Sequence, residues 1–232
     1  RLGYKDSSNI LNEVDYLSTV SGGGFAGGYY ISHFAHEKKY YPHKKFSLNA
    51  IWKHANECSN ALPDVDLNST IFKNIFIHNL FAPGRRMRQL LDSMRRSILL
   101  EGKTDANKNV YQRLLLKDIF IDTSSEEKVT TPILITNGTF YANNSRLPIV
   151  PYLIDELNIT GCYQPNVDFD GSTMPLFYGI TASSSFPGVL LQIRLKRADS
   201  TLIRVIDGGV SDNFGYKSLV DIYRKMPEKQ NH

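Results

Sequence analysis

Runs of β-branched and aliphatic residues mark four strands: Val14–Val20, Pro132–Thr136, Val189–Leu195 and Thr201–Ile206, each closed by Gly, Asn or Asp. Between them, apolar residues recur at helical spacing over about Gly24–His36, Leu48–Cys58, Pro83–Leu100, Val110–Leu116, Pro175–Ala182 and Tyr216–Met226. Strands alternating with helices predict an α/β fold.

The stretch from about 37 to 131 interrupts that alternation, carries half of the histidines and is read as a helical insertion or lid. Within Pro83–Leu100, Met87, Leu90, Leu91, Met94 and Ile98 form an apolar stripe, and Arg85, Arg86, Arg88, Arg95 and Arg96 add positive charge. Such a helix packs its stripe on a core in the ordinary case. The sharper expectation is that the arginines rest on an anionic lipid surface, giving peripheral membrane contact.

A chain of 232 residues with apolar positions spread evenly is expected to fold as a single domain, 1–232. An excess of 27 Lys+Arg over 23 Asp+Glu leaves +4, too little to imply nucleic acid. Cys58 and Cys162 stand far apart and outside any metal-ligand spacing, so no disulfide framework, zinc site or cofactor is indicated. Asn-x-Ser/Thr triplets begin at Asn68, Asn137, Asn143 and Asn158, a pattern that arises easily by chance in an Asn-rich chain. No apolar stretch approaches the ~18 residues of a membrane-spanning helix.

The chemistry concentrates where Val14–Val20 breaks into Ser21-Gly22-Gly23-Gly24 and a helix begins. A nucleophilic serine is presented by such a sharp strand-to-helix turn, with glycines around it and the helix N-terminus favouring developing negative charge. Two other readings fit the same residues. Gly22-x-Gly24-x-x-Gly27 matches a dinucleotide fingerprint literally, but the region after His36 is polar, broken by Pro42, and lacks the required second strand with its acidic end. A glycine turn that only packs helix on strand is the plainest reading.

The far end of the chain favours the serine. Val205-Ile206-Asp207-Gly208-Gly209 puts an acidic residue at a strand end, followed by glycines that admit close backbone approach. Of the histidines, only the terminal His232 follows Asp207, so the strand-order pattern of a Ser–Asp–His triad is a poor fit. A Ser21–Asp207 dyad without histidine is expected instead. His33 and His36, three apart on one helix face, have no acidic or Cys partner at recognisable spacing and are expected on the surface.

Three ordered segments, Asp15–Gly24, Ala182-Ser183-Ser184-Ser185-Phe186-Pro187-Gly188 and Asp207–Asn213, resemble the patatin-like phospholipase family. The resemblance implies a three-layer α/β/α sandwich with a mainly parallel central sheet, and a lipid acyl hydrolase acting on acyl lipids such as phospholipids. It implies Ser21 as nucleophile, Asp207 as general base, Gly22 and Gly23 at the elbow and oxyanion position, and Gly208 and Gly209 as part of the aspartate motif. The alternative is a relative that binds lipid with little or no catalysis.

The chain departs from the family pattern in two places. Thr19 stands two before the serine where the family has Gly, which predicts a less tight elbow. The Gly-rich oxyanion loop that the family places some thirty or more residues upstream has no counterpart among the twenty residues before Ser21, so first strand and loop are expected to precede residue 1. The piece alone is then expected to be poorly active, because losing one oxyanion donor costs ~10²–10³ in rate. Location is left between the cytoplasm and a peripheral membrane site.

Overall fold

The computed structural model describes residues 14–40, 91–119 except 93 and 106, 132–150, 174–196 except 188, 189 and 191, and 200–225, with 53 and 56 singly. Strand β1 (Tyr16–Val20) runs into helix α1 (Gly22–Tyr40); β2 (Ile133–Phe140) and β3 (Ser145–Ile149) form a hairpin; helix α2 (Leu176–Ser183) precedes β4 (Ile193–Lys196) and β5 (Leu202–Asp207); helix α3 (Tyr216–Lys225) follows. The predicted helix at Leu48–Cys58 lies almost wholly outside the described residues.

The layers follow from strand alternation. Leu17, Leu134, Leu147 and Val205 point into the main core with α1 and α2, while Tyr16, Ile135 and Val150 meet Leu219 and Ile222 of α3 on the other face. Helices thus cover both faces of one sheet, in the three-layer α/β/α arrangement. α1 and α2 pack closely at Gly28, where a Cβ would sit 2.3 Å from Ile180 Cδ1, so Ile180 fills room that the missing side chain leaves; at Gly24 a Cβ would make an ordinary 3.5 Å contact with Ile180 Cγ2.

The sheet is mixed rather than mainly parallel among the described residues. β1 pairs with β2 in parallel, but β2–β3, β2–β5 and β4–β5 are antiparallel. Short connections force this for β2–β3 and β4–β5, since only antiparallel neighbours can be joined without a long crossover.

Register places the two strand ends that matter. β3 runs along β2 from Thr136 to Phe140, overlapping the stretches that pair with β1 and with β5. Since a strand has two edges, β1 and β5 must share the opposite edge of β2, one after the other. Their carboxyl ends meet there: Val20 is registered with Asn137 and Asp207 with Gly138.

Three elements differ from the sequence expectation. β2 runs through Asn137-Gly138, a pair that usually signals a hairpin turn, because Gly138 lies where a Cβ would meet Val205 Cγ1 at 2.9 Å and the Asn137 carboxamide is hydrogen-bonded inside the protein. β3 was masked by Pro148, a residue that argues against a strand. Over Val110–Leu116 the chain is extended, its backbone bonding across to Lys103 and Met174, and only Leu116–Ile119 forms a 3₁₀ turn.

The described part of the 37–131 stretch is built into the main core. Met94, Ile98, Leu99, Leu114, Leu116 and Ile119 are buried in the cluster that holds α1 and α2. His36, expected on the surface, is fully buried: it contacts the Leu99 carbonyl through Nε2 at 2.8 Å and stacks on Tyr111 at 4.3 Å between centroids. Because a carbonyl only accepts, Nε2 carries the proton. Among the described residues no helix is long and apolar enough to cross a membrane.

Candidate active site

Ser21 occupies the single residue between β1 and α1, with φ at 53°. For a side chain with a Cβ this left-handed conformation is uncommon and costs energy unless the surroundings impose it. Here they do. The Ser21 N–H is shared between the carbonyl and the hydroxyl of Ser183, each at 3.2 Å, and the Ser21 carbonyl accepts from Gly24 N–H at 2.9 Å. The backbone thus makes a strained, sharp turn from strand to helix at Ser21.

The neighbouring glycines divide into two groups. A Cβ on Gly22 or Gly23 would meet nothing within 4 Å, and both residues are exposed. As first-turn residues of α1 they hold N–H groups that helix geometry leaves without intrahelical acceptors. Gly27 is packed instead: its Cβ position is 2.8 Å from Thr19 Cγ2 and 3.1 Å from Leu134 Cδ1. That contact explains how Thr19 is accommodated. Its methyl group occupies the space that a side chain at residue 27 would take, and its hydroxyl donates to the Ile135 carbonyl at 3.2 Å. Thr19 therefore sits in ordinary strand geometry, and the strained φ falls on Ser21.

Asp207 ends β5 and is 2% exposed. Its Oδ1 accepts the Gly209 N–H at 2.7 Å, while Oδ2 is buried without a hydrogen-bond partner among the described residues. A buried carboxylate oxygen left unpaired is costly to stability. The chain leaves Asp207 by passing so close to β2 that a Cβ on Gly208 would lie 1.9 Å from the Asn137 carbonyl oxygen, with Val20 Cγ1 3.3 Å away. Only glycine fits at 208, and its fit brings the aspartate turn against the residue that precedes Ser21.

The serine-rich turn after α2 ties both ends down. Ser183 clamps the Ser21 backbone, and two residues on the Ser185 carbonyl accepts the Asp207 N–H at 3.0 Å. The three hydroxyls are themselves engaged: Ser183 donates to the Asn137 carbonyl, Ser184 to that of Ile180 and Ser185 to that of Thr181, each at 2.6 Å. Ser21 is only partly buried and lies beside the exposed Gly22 and Gly23.

Residues 7–220 match the family model described as Patatin-like phospholipase. The chain belongs to the patatin-like phospholipase family. No curated protein and no solved structure matches the chain. The family is one of hydrolases acting on lipid esters, and its α/β fold agrees with the mixed five-stranded sheet and flanking helices.

For this patatin-like chain, sequence reasoning missed Asn137 and the work of Ser183. The sequence reading placed Asn137 just past the end of a strand, yet it is 1% exposed in the middle of the sheet, which also excludes its Asn-x-Thr triplet as a glycosylation acceptor in the folded protein. Ser183 belonged to a recognised segment, but the bond from its hydroxyl to the Asn137 carbonyl depends on a pairing of distant strands. Histidine takes no part among the described residues near Ser21: His33 and His36 lie twelve and fifteen residues along α1, roughly 18 Å or more of helix rise away.

The basic helix is described only at its end. Arg85, Arg86 and Arg88 lie outside the described residues; Arg96 is exposed; Arg95 is committed internally, its Nε donating to the buried Glu101 at 2.5 Å and an Nη to Asp92 at 2.9 Å. Glu101 also accepts the Leu114 N–H at 3.3 Å, so this ion pair fastens the helical stretch to the extended strand-like segment beside α2.

Proposed function

We propose that this patatin-like protein is a serine lipid acyl hydrolase that cleaves carboxylic esters of acyl lipids through a Ser21–Asp207 dyad. The observation that carries this reading is the left-handed Ser21 at the end of β1, with Asp207 at the adjoining end of β5 keeping one buried carboxylate oxygen without a hydrogen-bond partner among the described residues.

In the proposed cycle Asp207 takes the Ser21 hydroxyl proton as Oγ attacks the ester carbonyl carbon. The negative charge that develops on the carbonyl oxygen lies next to the first-turn N–H groups of Gly22 and Gly23, at the positive end of the α1 dipole. Asp207 returns the proton to the leaving alkoxide as the carbon–oxygen bond breaks, leaving an acyl group on Ser21. Water, deprotonated by Asp207, then attacks that acyl carbon; the fatty acid leaves and Oγ regains its proton. Gly209 holds the carboxylate in orientation through Oδ1, so the proton traffic runs through Oδ2.

The partner this function expects is a phospholipid or other acyl-lipid surface, met by the exposed Arg96 together with Arg85, Arg86 and Arg88. Arg95 is not free for that purpose. The test is hydrolysis of p-nitrophenyl butyrate and of phosphatidylcholine vesicles by the full-length protein. Asp207→Asn lowers kcat by roughly 10²–10⁴-fold, the usual contribution of a general base; a rate within twofold of the parent would contradict the dyad.

A further inference from the structure

Asn137 touches the elbow, the serine turn and the aspartate turn at once. It is a fully buried polar side chain in the strand between the two motif ends, and it is registered with Val20. Its Nδ2 donates to the Thr19 carbonyl at 3.0 Å and to the Ser18 hydroxyl at 2.8 Å, on the strand that ends in Ser21. Its own carbonyl accepts the Ser183 hydroxyl at 2.6 Å, and Gly208 lies directly over that same carbonyl. From α3, the Ser218 hydroxyl donates to Oδ1 at 2.8 Å and fixes which way the carboxamide faces.

We propose that Asn137 is a positioning residue that sets the spacing between Ser21 and Asp207, resting on the dyad reading above. β1 and β5 come end to end on one edge of β2, and no hydrogen bond of the sheet ladder joins one to the other there. Their separation is decided by what each grips on Asn137 and Gly138. Asn137 grips β1 by its carboxamide and receives the aspartate turn on its carbonyl. A misplacement of about 1 Å between reacting groups costs on the order of 10² in rate, far more than it costs in binding. Asparagine fits this place because a carboxamide presents both N–H donors and an acceptor. A carboxylate at 137 would face the Thr19 carbonyl oxygen with no proton between them.

The experiment compares Asn137→Asp, Ser32→Ala and Ser21→Ala in the full-length protein. Ester turnover and fluorophosphonate labelling rate are read well below each melting temperature. Asn137→Asp is expected to lose at least tenfold in kcat and in labelling rate with KM within twofold, because the groups that bind substrate are untouched. Ser32→Ala removes a buried hydroxyl that bonds the Tyr29 and Ile98 carbonyls in the core behind α1, away from both motif ends; it is expected to melt lower yet keep kcat within threefold. Should Asn137→Asp not fold, Asn137→Ser, a smaller donor, takes the same comparison. A kcat within twofold of the parent in the folded Asn137 variant overturns the proposal. Ser21→Ala separates the two claims: if it keeps activity and labelling, the dyad itself is wrong, whereas a silent Ser21→Ala beside a normal Asn137 variant removes only the positioning role.

Discussion

Ser183 holds Ser21 by the backbone, taking its N–H on both carbonyl and hydroxyl oxygens at 3.2 Å. The hydroxyl half of that clamp depends in turn on Asn137, whose carbonyl accepts the Ser183 proton at 2.6 Å. A left-handed serine is thus supported by a chain of bonds reaching into the sheet, which lets the strain persist. Ser183→Ala removes the hydroxyl and leaves the carbonyl contact. It is expected to lower stability by about 1 kcal/mol and to slow acylation of Ser21 by more than its stability loss accounts for. Burst kinetics with a p-nitrophenyl ester check this, and an unchanged burst rate argues against the clamp.

The packing of Gly27 against Thr19 makes a paired prediction. Gly27→Ala places a methyl 2.8 Å from Thr19 Cγ2 and 3.1 Å from Leu134 Cδ1, an overpacking expected to cost about 1–3 kcal/mol in urea unfolding. Thr19→Ser, which keeps the hydroxyl and removes the methyl, restores part of that stability when combined with it. Additive losses in the double variant would show that the two positions do not share the space.

Gly208 and Gly23 should respond in opposite ways. Gly208→Ala drives a Cβ into the backbone oxygen of Asn137, 1.9 Å away, and backbone cannot rotate aside. A loss of about 3 kcal/mol or more, or failure to fold, is expected. At Gly23 a methyl group meets nothing within 4 Å, and in a helix alanine is favoured over glycine by about 0.5–1 kcal/mol. Gly23→Ala is therefore expected to keep or raise the melting temperature while lowering turnover, since the proposed cycle uses the open room beside Ser21 for the ester. Equal effects of the two substitutions on stability would contradict this division.

Much of this arrangement was legible in the sequence, and the limits have physical causes. The strand–glycine–helix break at Ser21 and the strand-final Asp207 are local patterns, so their elements emerge within a few residues of expectation. The grip between them is not local. Asn137-Gly138 carries a strong turn signal that tertiary packing overrides, because Val205 needs the missing Cβ of Gly138 and the carboxamide finds partners 118 and 119 residues away. His36 failed for the same reason: a polar residue on a helix of mixed character reads as surface until the Leu99 carbonyl and Tyr111 are known to cover it.

His36 gives stability a pH dependence with a definite sign. Burial lowers its pKa, with Lys39 also lowering it and the Leu99 carbonyl and Asp118 opposing. Among the described residues the buried Nδ1 has no acceptor for a second proton. The unfolded chain therefore takes up a proton first, near pH ~6.5, and the folded state loses ground as pH falls from there toward the lowered folded-state pKa. Above that window the contribution is fully present. Melting curves from pH 7.5 to 5 are expected to fall more steeply for the parent than for His36→Gln, which keeps a donor near Leu99 without titrating. Parallel curves would remove His36 as the cause.

Arg95 and Arg96 separate folding from surface binding. Arg95→Glu leaves the buried Glu101 carboxylate facing a like charge and is expected to destabilise the protein. Arg96→Glu changes an exposed side chain and is expected to leave the melting temperature within a degree or two while weakening sedimentation with anionic vesicles. Unaltered vesicle binding in Arg96→Glu combined with reversal at Arg85, Arg86 and Arg88 contradicts the lipid-surface role.

The dyad itself is tested most directly by mass spectrometry of the full-length protein after reaction with a fluorophosphonate. A single covalent adduct on the peptide containing Ser21 is expected, absent in Ser21→Ala and formed at least a hundredfold more slowly in Asp207→Asn. An adduct that persists in Ser21→Ala, or that forms on Ser183, Ser184 or Ser185 instead, would contradict Ser21 as the nucleophile.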